Sequence, residues 1–504
     1  MQYIHDIHIF IYVNTEDTVT IPRKEYEELK STIALLKYQL ADVKRLIFGQ
    51  KTERHIPERD PNQEVLDIGL PSQEEEVHKE KITYTRKKKK NGGGRRDLPD
   101  DVPVIDKVIE PEQDVSGMKR MGAKETIVLE YEEAKLFKLR FLRPVYAPAD
   151  GNGDIVVAPL PFRPIEKGLP GPKLATQVVE DKYVYHMPIY RQCKKFKRLG
   201  VELAESTING WIGAYIRLLI PLHECAKTEI LKLDYLQADE TTLKVLKHPA
   251  SKKGKSHTGY LVPYLSPIKN MVYFEYQPYR NQKAQEDFLA SFKGRLQTDG
   301  HNSYDTVARR QDIIHLGCMA HVRRKFEKAL DYHKEKSEHA LRIIRLLFEV
   351  ERMSRRKDGS IDYEKRIRLR QRHSKKLMNI FKVWLDEQLL TGHLPKPPLG
   401  KAIKYTLNRW DELMVFLEDG KLEISNNPIE NLIRPIAVSR KNWLFGGSPA
   451  GAKWAAIIFT FISGCQLNNL NFSEYLMDVA SRINDHPMKR LAELLPWNWK
   501  HPSS

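Results

Sequence analysis

Apolar residues first fall into a regular pattern between Leu29 and Ile47, where Leu29, Ile33, Leu36, Leu40, Val43 and Ile47 recur at alternating spacings of four and three. That is the a/d seam of a short coiled coil, which either pairs two copies of the chain or packs on its own fold. Pro57, Pro61 and Pro71 then break any helix, and a mixed-charge stretch runs into the basic, glycine-rich RKKKKNGGGRR at residues 86–96. Alternation in TIVLEYEEAKLFKLRFLRPVYA predicts short strands. Helical periodicity takes over between residues 172 and 233, with KLATQVVEDKYV, then PIYRQCKKFKRLG stopping at Gly200, then ESTINGWIGAYIRLLI beginning at a Ser206 or Thr207 cap. The basic second member followed by a glycine turn and another helix has the form of a helix-turn-helix, although such pairs also serve plain packing.

Strand periodicity returns in YLQADETTLKVL, HTGYLVPYLSP and NMVYFEYQPYR, with turns at Gly254 and at residues 267–270, predicting a three-stranded meander. A helix (NQKAQEDFLASFKG), a strand (RLQTDG), a helix near residues 302–310, a strand (QDIIHLGC) and a basic helix (HVRRKFEKAL) follow. These shifts divide the chain into an N-terminal zipper-like helix (1–52), a flexible basic linker (53–97), a small β-rich module (98–165), a helical, helix-turn-helix-like segment that is a candidate for DNA binding (166–232), an α/β domain (233–465) and a C-terminal tail (466–504). Much of residues 334–418 is charged and helical, so the α/β domain is expected to carry an α-helical insertion at about 331–420.

Composition narrows the partners. In 504 residues, 83 Lys and Arg face 66 Asp and Glu, a formal charge of +17 that favours a polyanion such as nucleic acid. Four scattered cysteines (Cys193, Cys225, Cys318, Cys465) argue against a disulfide framework and for a reducing compartment. The opening MQYIHDIHIFIYVN lacks a basic n-region and a cleavage site, and no uninterrupted apolar run reaches the roughly 18 residues of a membrane span. A soluble, cytoplasmic protein with no membrane partner is expected.

The candidate chemistry lies in three acids: Asp239 in QADET, Asp299 in LQTDGHNSY and Glu430 in ISNNPIENLIRP. Divalent ions held by such carboxylates activate a nucleophile and stabilise the leaving oxygen of a phosphoryl displacement, and hard cations take oxygen ligands. Each acid also has an ordinary structural reading. Asp239 can end a strand, with Glu240 equally able to serve; Asp299 can make an Asp-Gly turn; and Asn427, Pro428 and Glu430 form an Asn version of a capping box with Arg434 four residues on. A helix from Asn427 would bury Ile429, Ile433 and Ile436 and leave Glu430 toward a cleft. Cys318 and His321 are spaced as a Cys-x2-His pair, read as a buried structural pair because tetrahedral zinc needs further ligands. Arg434, Arg440, Lys441, Asn442 and Trp443 make a basic stretch with one aromatic, suited to phosphate contact and base stacking, with Trp443 in the core as the plain alternative.

Three antiparallel strands followed by alternating helix and strand resemble the ribonuclease H-like fold, in which one acid sits on the first strand and a second ends the fourth, the places of Asp239 and Asp299. QADET, LQTDGHNSY, HLGCMAHVRRKF, ISNNPIENLIRP and SRKNWLFGGSPAGAKWAA together resemble the DDE-type transposases of the insertion sequence 66 family. The resemblance implies an α/β (α+β) multidomain chain with a ribonuclease H-like core, catalytic metal ligands at Asp239, Asp299 and Glu430, and two Mg²⁺ (or Mn²⁺) ions. It implies DNA partners, both element ends and target, a homo-oligomer of at least two copies to hold two ends, and small companion proteins encoded by the same element. It also implies a bacterial, nucleoid-associated setting. The module at 98–165 is similar to a zinc-binding domain of the family but lacks its cysteines, which argues against zinc there. A ribonuclease H-like nuclease without strand transfer, or an inactive DNA-binding remnant, are the alternative readings.

Overall fold

A computed structural model of the chain describes residues 136–142, 145–146, 156–157, 163–165, 168–249, 251, 255–390, 398–443 and 445–501. The chain divides into two compact units, and the elements below lie in the one that contains Phe141–Ser504. The zipper-like helix, the basic linker and most of the β-rich module fall outside the described residues. From that module come two short antiparallel strands, β1 (Val145–Tyr146) and β2 (Val156–Val157), with Val145 opposite Val157.

A six-stranded sheet forms the centre. Its strands are β3 (Tyr235–Ala238), β4 (Thr241–Val245), β5 (His257–Ser266), β6 (Met271–Gln277), β7 (Gly294–Gln297) and β8 (Ile313–Leu316). β3 pairs antiparallel with β5 and parallel with β7; β7 pairs parallel with β8; β5 also carries β4 and β6 antiparallel. The expected first strand is thus split. Ala238 faces Tyr264 and Thr241 faces Leu261, so one register runs through both halves, and Asp239 and Glu240 fill the gap between them. Pro263, which has no amide hydrogen to give to a ladder, stands in β5 across from that gap. β3 is buried at every position, as an interior strand covered on both faces must be, whereas β4 alternates, with Thr241, Leu243 and Val245 buried and Thr242 and Lys244 exposed.

Helices α1 (Pro172–Tyr183), α2 (Ile189–Arg198), α3 (Glu205–Leu218) and α4 (Ile220–Ile230) precede the sheet. α3 begins at Glu205 with Ala204 in the cap position and no side-chain cap, two or three residues before the expected Ser206 or Thr207 cap. α1 and α3 are bound into the core: Tyr215 of α3 bonds Thr176 of α1 (2.8 Å) and donates to the carbonyl of Leu476 (3.1 Å). After β6 come α5 (Gln282–Phe288), β7, a 3₁₀ turn with α6 (Asp305–Ala308), β8 and α7 (Met319–Glu327).

The helical insertion comprises α8 (Lys334–Met353), α9 (Tyr363–Leu369), a π turn at Arg370–Ser374, α10 (Lys375–Leu390), α11 (Pro398–Asn408) and α12 (Trp410–Met414). Arg370, fully buried on the π turn, makes two 2.7 Å bonds to Glu351 and donates to the carbonyls of Phe416 (2.6 Å), Asp419 (2.7 Å) and Leu422 (2.8 Å). Arg366 joins the same carboxylate (3.1 Å) and Glu423 (2.9 Å). The insertion therefore fixes the segment that leads into α13 (Asn427–Trp443).

α14 (Pro449–Leu467) is the one helix among the described residues long and apolar enough to cross a membrane by length and composition. It lies in the core instead, where Thr460 accepts a bond from the backbone N–H of Phe274 (2.9 Å) and so covers the outer edge of β6. The segment 466–504, expected as a tail, folds as α15 (Phe472–Arg482) and a 3₁₀ helix (Met488–Leu494), with Tyr475, Leu476, Val479 and Leu494 buried.

Candidate functional site

The two central strands carry the same tetrapeptide pattern. Leu236-Gln237-Ala238-Asp239 ends β3, Leu296-Gln297-Thr298-Asp299 ends β7, and the parallel register sets Leu236 beside Leu296 and Gln237 beside Gln297. Two in-register strands bring their following residues side by side, so Asp239 and Asp299 leave the sheet as neighbours. The repetition of Leu-Gln-x-Asp was visible in the sequence, but its meaning depended on a parallel pairing that periodicity does not give.

The glutamines fasten this end of the sheet. Gln297 accepts from Tyr235 Oη (2.6 Å) and Gln237 Nε2 (2.8 Å), and donates to the carbonyls of Gly317 and Glu423 (2.9 Å each). Gln237 donates to the carbonyl of Ser425 (3.1 Å), and the Glu423 N–H donates to Tyr235 Oη (3.1 Å). Gln297 is bonded at both its oxygen and its nitrogen, whereas Gln237 Oε1 is buried without a partner, and a buried network of this kind favours one arrangement. The segment 423–425 is thereby held against the strand ends, and Glu430 follows in the first turn of α13.

α13 starts after Asn426, one residue earlier than the expected cap position, and the capping box does not form. The carboxylate of Glu430 pairs with Arg324 of α7, not with Arg434, which is exposed. Ile429, Leu432 and Ile436 are the buried face, with Leu432 in the place expected of Ile433. Cys318 and His321 do not pair through their side chains; each meets the approach to α13 separately. Cys318 Sγ bonds Asn426 Oδ1 (2.8 Å), its thiol pushed up to about 12 by burial, and His321 Nε2 lies 3.9 Å from Glu430 Oε1 and 3.0 Å from Arg324.

The charges of Asp299 and Glu430 both bear on Asp239. Burial and then the charge of Asp299 push the Asp239 carboxyl up to about 8, and Glu240 and Glu430 add to the rise. The Glu240 N–H donates to Asp239 Oδ1 (2.7 Å), and His301 N–H donates to Asp299 Oδ1 (2.8 Å) in a turn that Gly300 permits with φ of 77°. Glu240, 3% exposed, is raised by burial, bonds Arg280 and accepts from Tyr304 Oη (3.0 Å). Arg280 also reaches Asp299 Oδ2 (3.8 Å), and Tyr405 Oη donates to the Asp299 carbonyl (3.0 Å). Sequence reasoning found Glu240 as an alternative but missed Arg280, Tyr304, Arg324 and Tyr405, which come from four other elements.

Among the described residues no three His, Cys, Asp or Glu side chains converge closely enough to hold a metal ion as they stand, and Arg280 and Arg324 pair with two of the acids. The donor set nevertheless fits a hard divalent cation. It is all carboxylate oxygen, the charges of Asp299, Glu240 and Glu430 raise the proton affinity of Asp239, and Glu430 Oε1 is buried with no hydrogen-bond partner. Asp299 and Glu430 are 21% and 20% exposed, so solvent reaches both.

The basic stretch at the far end of α13 is mostly structural where it is bonded. Arg440 donates to the carbonyl and hydroxyl of Thr242 (2.6 Å each), Asn442 turns back to Val438 (3.2 Å), and Trp443 meets Tyr183 edge-on at 6.4 Å. Lys441 and Arg434 are exposed.

Residues 167–454 match the model of the family described as "Transposase IS66 family", and residues 35–106 match "Transposase C of IS166 homeodomain". Three relatives come from Sinorhizobium fredii. The uncharacterized protein y4hP is 28% identical over 511 residues (94% of this chain, 90% of the relative), and y4jD is 30% identical over 503 (95% and 97%). A third, y4qI, is 32% identical over 417 residues (79% and 76%).

Proposed function

Because the chain belongs to the IS66 family of transposases, we propose that it cuts DNA at the ends of its element and joins the freed 3′-hydroxyl to target DNA at the site of Asp239, Asp299 and Glu430. The observation that carries this reading is the in-register pairing of the two Leu-Gln-x-Asp strands, which sets two carboxylates side by side while the third bears on Asp239. The strand order, with antiparallel β6, β5 and β3/β4 followed by parallel β7 and β8, supports a ribonuclease H-like core.

The three acids are the residues that would hold divalent cations, in the family's manner Mg²⁺. Bound there, such ions supply charge neutralisation at the phosphate and activation of the attacking oxygen. The chain's own residues hold the acids in register through Gln237 and Gln297. Asp239 keeps a proton at neutral pH that binding of a cation must displace, and Arg280 and Arg324 must swing off their carboxylates, which frees two guanidiniums suited to phosphate. The excess of 17 positive charges suits a polyanionic partner. Self-association through the heptads at 29–47, companion proteins and DNA reading by α2 and α3 belong to the same reading.

A strand-transfer assay with labelled element ends tests it. Cleavage with joining is expected. Cleavage alone would make the protein a nuclease, and binding alone a remnant.

A further inference from the structure

At the other end of α13 from Glu430 lies a cavity of about 120 Å³, lined among others by Lys182, Tyr183, Trp443, Phe445, Ser448 and Trp454. Sites for larger ligands run to about 300–1,000 Å³, so this one has room for a single small planar or anionic group. Its floor is rigid: the Gly446 N–H donates to the Lys244 carbonyl (2.8 Å), the Leu246 N–H to the Gly446 carbonyl (3.0 Å), and Trp454 sits so close on Gly213 that a Cβ there would be 2.4 Å from the ring.

The chemistry of the lining is one-sided. Lys182 has no ion pair and no hydrogen bond among the described residues; its ammonium lies 5.0 Å from the Tyr183 ring, and burial lowers its pKa to about 8. Trp443 Nε1 is buried without an acceptor. The first turn of the 19-residue α14 opens here behind Gly447, where a Cβ would meet nothing within 4 Å. No Asp or Glu lines the cavity. A half-buried ammonium and a buried indole N–H thus face the cavity without an acceptor, while the first turn of α14 is capped by Ser448 Oγ, which accepts from the Gly451 N–H (3.3 Å), and the walls are aromatic.

We propose that this cavity takes the base of one unstacked nucleotide of a bound DNA strand, held against the aromatic wall with its acceptor edge toward Lys182 and Trp443 Nε1–H. The inference rests on the reading of DNA as the partner. Thirteen residues of helix at about 1.5 Å each separate Glu430 from Trp443, so the nucleotide sits about 20 Å from the cutting site. That is roughly six base-pair steps along a duplex.

The test is photocrosslinking of the full chain to a single-stranded oligothymidylate carrying one 5-iododeoxyuridine, with binding followed separately by fluorescence anisotropy. Adducts are expected in the peptide spanning residues 441–455. Lys182→Met, and Trp443→Phe, which keeps a ring but removes the N–H, should each cut the adduct yield roughly tenfold. Binding with adducts elsewhere, or with yields unchanged in both variants, overturns this inference and leaves the DNA reading standing. Failure of the wild-type chain to bind DNA at all overturns both.

Discussion

Gln297 is the residue whose loss should be felt most widely at the strand ends. Replacing it by Leu keeps the size of the side chain and removes four hydrogen bonds: those from Tyr235 and Gln237, and those to the carbonyls of Gly317 and Glu423. Each is worth about 0.5–1.5 kcal/mol net, and the phenol and carbonyls left behind are buried, where an unsatisfied group costs about 1–3 kcal/mol. Some partners retain another bond: Gln237 keeps the Ser425 carbonyl, and Tyr235 Oη keeps the Glu423 N–H. Offsetting those against the lost set, and allowing for the added apolar burial of Leu, gives a destabilisation of about 2–4 kcal/mol. Urea unfolding followed by far-UV circular dichroism and by tryptophan fluorescence measures it. The same variant should lose cleavage by more than its folded fraction explains, because the segment 423–425 that sets Glu430 is no longer held to the sheet. A loss below about 1 kcal/mol with unchanged cleavage would refute the positioning role.

Most of the site was legible because its signals are local. The acids stand at strand or helix ends where β periodicity stops or a Pro-led helix begins, and the order of strands around Asp239 and Asp299 could be read from alternation. What was not legible is what depends on non-local pairing. The repeated Leu-Gln-x-Asp acquires its meaning only when β3 and β7 lie parallel in register. Arg280 between β6 and α5, Tyr304 after β7, Arg324 on α7 and Tyr405 on α11 reach the acids from segments whose local sequence says nothing of one another. The capping-box reading of Glu430 failed because the helix starts one residue earlier than expected, which takes Glu430 out of the third helical position, and a guanidinium from α7 pairs with its carboxylate instead. The split of the first strand likewise follows from Pro263 on its neighbour, not from anything in YLQADETTLKVL.

Other consequences follow from the buried charges and close contacts. In the folded protein Asp239 holds its proton up to about pH 8, against 3.8 for its ordinary value, so the folded state binds more protons across that window and stability falls as pH rises through it. Without divalent ions, thermal unfolding between pH 5 and 8 should show this slope, at most about 1.4 kcal/mol per pH unit, and Asp239→Asn should flatten it; parallel slopes would count against the charge cluster. Glu351→Ala removes the carboxylate partner of Arg370 and one of the two of Arg366, which keeps Glu423, and should cost about 3–5 kcal/mol in chemical denaturation, an effect under 1 kcal/mol being incompatible with a buried pair. Gly420→Ala would put a Cβ 2.1 Å from the Tyr363 carbonyl oxygen, and should lower the unfolding midpoint by a clash-sized amount of about 1–3 kcal/mol or more, whereas Gly447→Ala, with open space around it, should be near neutral.

The central claim is that Asp239, Asp299 and Glu430 act together on a divalent cation. Mn²⁺ binding to the full chain, read by electron paramagnetic resonance at fixed pH, tests it without reference to DNA. The wild-type chain should bind, and Asp239→Asn, Asp299→Asn and Glu430→Gln should each weaken binding by roughly tenfold or more, as loss of one carboxylate ligand demands. Binding in any one of these variants that equals the wild type would remove that residue from the site, and equal binding in all three would contradict the account.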